Sequence, residues 1–457
     1  MVKILCKSSK TFLIVLVITL IWLHTYLSGI LGTENSVDKS PRADDDKIPG
    51  AAPAVVDETG KNGNTGGGSE HGRLGTPAFI NLPEPRPLSA EEIEEITKEM
   101  TFENEMQRIY NVEKFGPVNE GTYVLVIQVH SRVEYLSLLI ESLSRVQNIE
   151  NSLLVFSHDL YVPQLNEAIR NIDFTRVMQI FYPYSIQLHP TSFPGQSPDD
   201  CPRDISPEKA QQTKCRNADH PDVYGHYREA RYTQTKHHWW WKANFVFGKI
   251  VTLRNYTGVV AFIEEDHYVA PDFLWVLDLM ETLMVQNLCH GCNLLALGTY
   301  LKTWNIKVAN SRGVVTNWIS SKHNMGMAFN RTMWNEISRC APTFCEYDDY
   351  NWDWSLLQVA YTCLHQPMTV FYAKAPRIFH IGDCGMHYKQ KKCNPHTAAK
   401  AIDAGVKTHH ALLFPDKLTV EVRHGKNMRL KKGNGGWGDI RDKQLCLSFS
   451  KDEKYQF

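Results

Sequence analysis

The sequence predicts an α/β protein built on an open, mostly parallel sheet and set behind a membrane-crossing helix and a flexible stem. Three observations carry this. After Thr122, short apolar runs alternate with stretches of helical periodicity. Residues 11–31 are uncharged and mostly apolar, and residues 32–89 carry Gly, Pro and charge with almost no apolar periodicity.

The first element is the anchor. Thr11 to Leu31 spans 21 residues, and a helix needs about 20 to cross the hydrocarbon core. Lys3, Lys7 and Lys10 precede it while Glu34 and Asp38 follow, which leaves residues 1–10 cytosolic and the rest lumenal. A cleaved signal peptide would have a shorter apolar segment and a small-residue cleavage site. The expectation is therefore a single-pass type II membrane protein of the secretory pathway. Residues 32–89 include Asn-Gly-Asn-Thr-Gly-Gly-Gly-Ser, a composition that cannot bury enough surface to order itself.

Residues 90–457 form the expected folded domain. Residues 90–116 have helical spacing, with Ile93, Ile96, Met100 and Met106 on related faces. Tyr123–Val129 is an apolar run of the kind a strand buried on both faces requires. Glu134–Val146 predicts an amphipathic helix, and Ser152–Ser157 and Val177–Phe181 predict further strands. Trp239–Asn255 predicts a helix, Gly258–Ile263 a strand running into Glu264-Glu265-Asp266, and Leu294–Leu297 another strand. Such alternation implies right-handed crossovers, and sheets of this kind bind ligands beyond the carboxyl ends of their strands.

Composition narrows the function only by exclusion. With 43% hydrophobic and 22% charged residues and a formal net charge of −1, nothing favours a nucleic-acid or anionic-membrane partner. Of eleven cysteines, only Cys6 precedes the anchor, and the other ten all follow residue 200. In an oxidising lumen that even number reads as five disulfides. Local spacing suggests Cys201–Cys215, Cys289–Cys292 and Cys384–Cys393, and leaves the long-range pairs open. Cys289-His-Gly-Cys292 could be half of a zinc or redox motif, but with no second such pair nearby it reads as a small structural loop. Asn255-Tyr-Thr and Asn330-Arg-Thr are glycosylation sequons.

The chemistry concentrates at the strand ends. Glu264, Glu265 and Asp266 repel one another unless a cation compensates them, and oxygen ligands suit Mg²⁺ or Mn²⁺. His380 or His387 could complete the site, and an imidazole would favour Mn²⁺. Asp266 is the leading metal ligand. Gln128, Val129, His130, Ser131 and Arg132 close the first strand, where a nucleotide would sit, and Asp159 closes the second, where a carboxylate can accept from a uracil N–H. The stretch Gln234-Thr-Lys-His-His-Trp-Trp-Trp-Lys242 is polar and then aromatic. Three consecutive tryptophans span about 200° of a helix and cannot all face one side. Asp348, Asp349 and Asp353 lie among aromatics, where burial raises a carboxyl's pKa and makes it a better base.

These motifs, in this order, resemble the N-acetylglucosaminyltransferase II family of N-glycan processing. The resemblance runs from about Tyr123 to Cys446. It includes FSHD (Phe156–Asp159), CPRD (Cys201–Asp204), YGHYREA (Tyr224–Ala230), HNMG (His323–Gly326), YDDYNWDW (Tyr347–Trp354) and NGGWGDIRD (Asn434–Asp442). The resemblance implies a GT-A, Rossmann-like fold on a Golgi membrane. It implies inverting transfer of GlcNAc from UDP-GlcNAc to the 2-hydroxyl of the α1,6-arm mannose of a hybrid N-glycan. It further implies donor contacts from Gln128, Val129, His130, Ser131, Arg132, Asp159, Gln234, Thr235, Lys236, His237 and His238, with Mn²⁺ held by Asp266 and His380. Asp353 would be the general base. The ten lumenal cysteines would pair as Cys201–Cys215, Cys289–Cys292, Cys340–Cys363, Cys345–Cys446 and Cys384–Cys393. The sequence departs from the family pattern at Ser131, where asparagine is usual, and at Trp304, where arginine is expected. Two alternatives stay open at this point: a related transferase acting on another acceptor, and a lumenal lectin-like protein without turnover.

Overall fold

The structure, a computed structural model, describes residues 87–299, 306–382, 394–423, 430 and 432–451. The expected tail, membrane span and nearly all of the stem lie outside these residues, as do Trp304, His387 and the Cys384–Cys393 pair. Among the described residues no helix is long and apolar enough to cross a membrane.

The described chain opens with helix α1, Ala90–Met106. Ser89 accepts the Glu92 N–H while the Glu92 carboxylate accepts that of Ser89, which satisfies two backbone donors at the helix start. Left-handed Gln107 ends the helix earlier than the expected 116, and a short strand β1, Ile109–Tyr110, follows.

The sheet starts with β2, Tyr123–Val129, where all but two residues are buried. Helix α2, Val133–Leu143, leads on to β3, Ser152–His158, and α3, Pro163–Arg170, to β4, Arg176–Phe181. Helix α4, Ala230–Gly248, then precedes β5, Val260–Glu264, and the short β6, His267–Val269. Helix α5 is Phe273–Val285. Six more strands follow: β7 Leu294–Ala296, β8 Arg312–Asn317, β9 Met327–Phe329, β10 Thr369–Ala373, β11 Ile378–His380 and β12 Thr419–Val422. Helices α6, Ala341–Glu346, and α7, Trp352–Thr362, lie between β9 and β10, and α8, Ile440–Lys451, comes last.

Ten strands pair in the order β1-β4-β3-β2-β5-β9-β7-β10-β8-β12. The β4-β3-β2-β5 portion is parallel, and antiparallel pairs bring in β1, β9 and β8. The expected parallel sheet is thus one half of a mixed one. The antiparallel strands escaped prediction because several have only three residues, too few to show a period. From β2 the chain moves outward to β3 and β4 on one side, then returns to β5 on the other. This reversal opens a crevice at the carboxyl ends of β2 and β5, where a ligand of such a sheet lies.

One face of the sheet packs against α2, α3 and α5 through Leu136, Leu139, Leu143, Ile169, Phe273 and Leu277. The other packs against α4, α6 and α7. All three tryptophans of α4 are buried: Trp239 stacks on Trp352 of α7 at 4.5 Å, Trp240 on Phe344 of α6 at 4.2 Å, and Trp241 meets Phe245 at 5.0 Å. No tryptophan is left at a rim, because α4 is enclosed by the sheet on one side and α6, α7 and α8 on the others. For the same reason α4 starts nine residues before the expected Trp239. In its polar first half Thr233, Gln234, Lys236, His237 and His238 are buried, while Arg231 stays exposed. Four disulfides close within the described residues: Cys201–Cys215, Cys289–Cys292, Cys340–Cys363 and Cys345–Cys446. The last joins α6 to α8.

Candidate active site

Three adjacent acids at the end of β5 take three different surroundings. Pairing ends at Glu264, opposite Gln128, so Glu265 and Asp266 sit in the turn before β6. The Glu265 carboxylate turns under the loop after β2. It accepts the His130 backbone N–H at 2.7 Å and Arg132 Nε at 2.8 Å. Glu265 therefore fixes the 130–132 loop from beneath. Asp266 turns toward the crevice, where its Oδ2 accepts Arg132 Nη1 at 2.8 Å and lies 3.2 Å from His380 Nε2. Burial would raise its pKa, but His380 and Arg132 outweigh burial and hold it well below the usual carboxylate range. His380 shifts the opposite way: burial works against its charge, and Asp266 more than compensates and raises it.

The residues here fit a divalent cation. Asp266 Oδ1 is buried and meets no hydrogen-bond donor among the described residues. Ligand atoms of Glu264, Asp266 and His267 lie within 4.8 Å of one another. Gly382 approaches so closely that a Cβ there would lie 2.2 Å from Asp266 Oδ2. Two carboxylates and an imidazole are a donor set for Mn²⁺ or Mg²⁺. Two histidines could supply the nitrogen. His267 Nδ1 accepts the Glu264 N–H at 3.1 Å, and burial lowers its pKa to about 4, so its other nitrogen carries the proton. His380 is half-buried and aimed at Asp266. β11 pairs with β6 so that His380 stands opposite His267, and the Ile381 N–H continues the pairing to Asp266 O at 2.9 Å.

The rim continues across β2 and β3. His130 Nδ1 meets Asp159 Oδ1 at 2.7 Å, and Gln234 Nε2 donates to Asp159 Oδ2 at 2.9 Å. The carboxylate raises His130 to about 9 against the effect of burial. Burial would raise Asp159 in turn, but the imidazolium lowers it. Val129 is buried and its carbonyl accepts the Asp159 N–H, while Ser131 is exposed and Thr235 half-buried.

Three other residues expected at the donor, Lys236, His237 and His238, are buried with internal partners. His238 is buried, with Nε2 2.8 Å from Ser157 Oγ. His237 Nε2 meets Asp442 of α8 at 3.0 Å, and Lys236 Nζ donates to the carbonyls of Tyr347 and Asp349, both at 3.0 Å. At 0–1% exposure these three make internal contacts where donor contacts were expected, because α4 has no free face beyond its first turns.

The three aspartates that residue type alone left equal take different surroundings. Asp348 accepts backbone N–H groups of Val223 and Trp437, and Asp349 accepts those of Asn351 and Asn434. Both tie loops together. Asp353, in the first turn of α7, takes Trp354 N–H at 3.0 Å and Asn324 Nδ2 at 3.2 Å and keeps part of its side chain open. Burial, with the nearby carboxylates of Asp349 and Glu264, pushes it up to about 7. A carboxyl poised there is suited to take a proton.

His267, Lys242 and Gly382 were not singled out as site residues from sequence. For Lys242 a signal existed, since it follows His238 by four and Gln234 by eight on one helix.

Comparison with known proteins fits this geometry. The model of the family described as N-acetylglucosaminyltransferase II matches residues 97–446. The alpha-1,6-mannosyl-glycoprotein 2-beta-N-acetylglucosaminyltransferase of Rattus norvegicus is 46% identical over 344 residues, covering 75% of this chain and 77% of that protein. Proteins of the same name from Sus scrofa and Arabidopsis thaliana are 45% and 31% identical, covering 75% and 76% of this chain and 76% and 78% of theirs. With more than two thirds of its length matched, this chain belongs to the N-acetylglucosaminyltransferase II family of glycosyltransferases.

Proposed function

We propose that this chain is an inverting, metal-dependent GT-A transferase that moves GlcNAc from UDP-GlcNAc onto the 2-hydroxyl of the α1,6-arm mannose of a hybrid N-glycan. The observation that carries this reading is the pairing of a cation cradle, Asp266 with His380, with a carboxyl near 7 at Asp353, both around the β2–β5 crevice. In this reading Gln128, His130 and Asp159 meet the nucleotide, and Arg132 offers a guanidinium to its diphosphate. Mn²⁺, when bound, supplies charge that eases departure of UDP. Asp353, ionised, takes the proton of the mannose 2-hydroxyl as that oxygen bonds to C1 of GlcNAc. The C1–oxygen bond to UDP breaks on the opposite face, so the anomeric configuration inverts. Thr11–Leu31 as a type II anchor would set the catalytic domain in the Golgi lumen, where glycoprotein acceptors pass. The test is a transfer assay of the full chain on defined N-glycans with linkage analysis of the product. GlcNAc on the α1,6-arm mannose through a β1,2 bond is expected; product on the α1,3 arm alone overturns the acceptor assignment.

A further inference from the structure

Helix α4 docks on the sheet through a polar ladder. Residues 234, 238 and 242 are four apart and share one helix face. Gln234 Nε2 donates to Asp159 at 2.9 Å, His238 Nε2 meets Ser157 Oγ at 2.8 Å, and Lys242 Nζ donates to Gln128 Oε1 at 2.6 Å. Ser157, Gln128 and Glu264 stand side by side across β3, β2 and β5. They continue the alternation of Leu153 and Val155, Val124 and Val126, and Val260 and Phe262, all of which pack in the same core as the α4 tryptophans. Lys242 thus reaches the ends of two strands at once, and it is 1% exposed. Burying an ammonium is costly: burial lowers Lys242 to about 7 against the opposing pull of the Glu264 carboxylate.

An ammonium has three N–H bonds and no lone pair. The protonated Lys242 therefore meets the Gln128 carboxamide through its oxygen, as the 2.6 Å contact to Oε1 shows; the reverse orientation would set NH₂ against NH₃⁺. Gln128 is half-buried at the crevice, so its NH₂ is what remains to point outward. A uridine diphosphate offers chiefly acceptor oxygens. We propose that Lys242 is a positioning residue for nucleotide binding: it locks Gln128 so that β2 presents a hydrogen-bond donor, not an acceptor, to the ligand. This rests on Gln128 as a nucleotide contact in the reading above.

The test is calorimetry of UDP with Mn²⁺ on the full chain in detergent, alongside its melting temperature. Lys242→Met and Gln128→Ala are each expected to weaken UDP about tenfold. The double variant should be no weaker than either alone, because both remove the same contact. Lys242→Arg, which also only donates, should restore most of the affinity. Gln128→Glu keeps the partner of Lys242 but turns an oxygen outward, so it should weaken UDP with the melting temperature unchanged; this variant stands even where Lys242→Met does not fold. Additive losses, or a fall in melting temperature with UDP affinity intact in Lys242→Met or Gln128→Glu, overturn the inference. Intact affinity in Gln128→Ala overturns the nucleotide contact itself, and the inference with it.

Discussion

Replacing Asp353 by asparagine should remove transfer and raise stability together. The carboxyl sits near 7 in the fold and at an ordinary 3.8 elsewhere. Between those values the native state holds a proton that the unfolded chain has released. The stability this group contributes is therefore complete below about pH 4 and is lost as pH rises to about 7. The gap of about three pK units sets a ceiling near 4 kcal/mol. Because the side chain is partly open, solvent screening leaves about 1–2 kcal/mol. Asparagine cannot ionise, so it escapes this loss. It also keeps the local hydrogen bonds: its oxygen accepts Trp354 N–H, and a flip of Asn324 presents that residue's buried and unpartnered Oδ1 to the new NH₂. For a domain of this size the gain corresponds to a melting temperature about 1–3 °C higher at pH 7.5, shrinking to nothing near pH 4. Transfer should fall about 10²- to 10⁴-fold with UDP affinity intact. Melting curves of both forms across pH 4 to 8 check the first claim, and steady-state assays check the second. A stability difference independent of pH would refute the electrostatic account, and retained turnover would refute the base.

Other outcomes follow from the same geometry. Asp266→Ala should abolish Mn²⁺-dependent binding of UDP, measured by calorimetry with and without the ion; the wild-type enthalpy in the variant would place the cation elsewhere. Gly382→Ala sets a methyl 2.2 Å from Asp266 Oδ2, so Mn²⁺ affinity should fall at least about tenfold while the wild-type circular dichroism is kept. The kcat/KM profile should carry an acid limb near 7, since Asp353 must be ionised to accept a proton. That limb should vanish from the residual activity of Asp353→Asn.

What sequence could read here follows a physical divide. The strands β2 and β3 begin at the expected residues, because runs such as Tyr123–Val129 are long and buried on both faces. Single side chains at strand ends, such as Asp159 and Asp266, were legible too, since a charge after an apolar run marks where a strand meets its crevice. Packing around a whole helix was not. The polar residues of α4 looked like ligand contacts, but Lys236, His237 and His238 are partners for loop carbonyls, Asp442 and Ser157, tens to hundreds of residues away in the chain. Periodicity reports one buried face and gives no warning when every face is buried. Gly382 was equally silent, because what matters there is an atom of Asp266 more than a hundred residues earlier.

The three acids after β5 show why such a cluster can exist at all. Side by side and buried, they would repel and take up protons. Burial does raise Glu264 and Glu265, and of the three Asp266 alone is held low; the opposing groups are Arg132 and a backbone N–H at Glu265, Lys242 near Glu264, and Arg132 with His380 at Asp266. Glu265 is thereby tied into the scaffold, while Asp266 keeps a buried oxygen that meets no donor among the described residues. This division makes a sharp distinction among substitutions. Glu265→Gln removes the charge that holds Arg132 Nε and should disturb the 130–132 loop, so nucleotide affinity falls. Asp266→Asn leaves that loop in place and should cost cation affinity first. If the two variants lost nucleotide and cation binding in the same proportion, the acids would be acting as one diffuse charge, and the separate roles drawn from their contacts would be wrong.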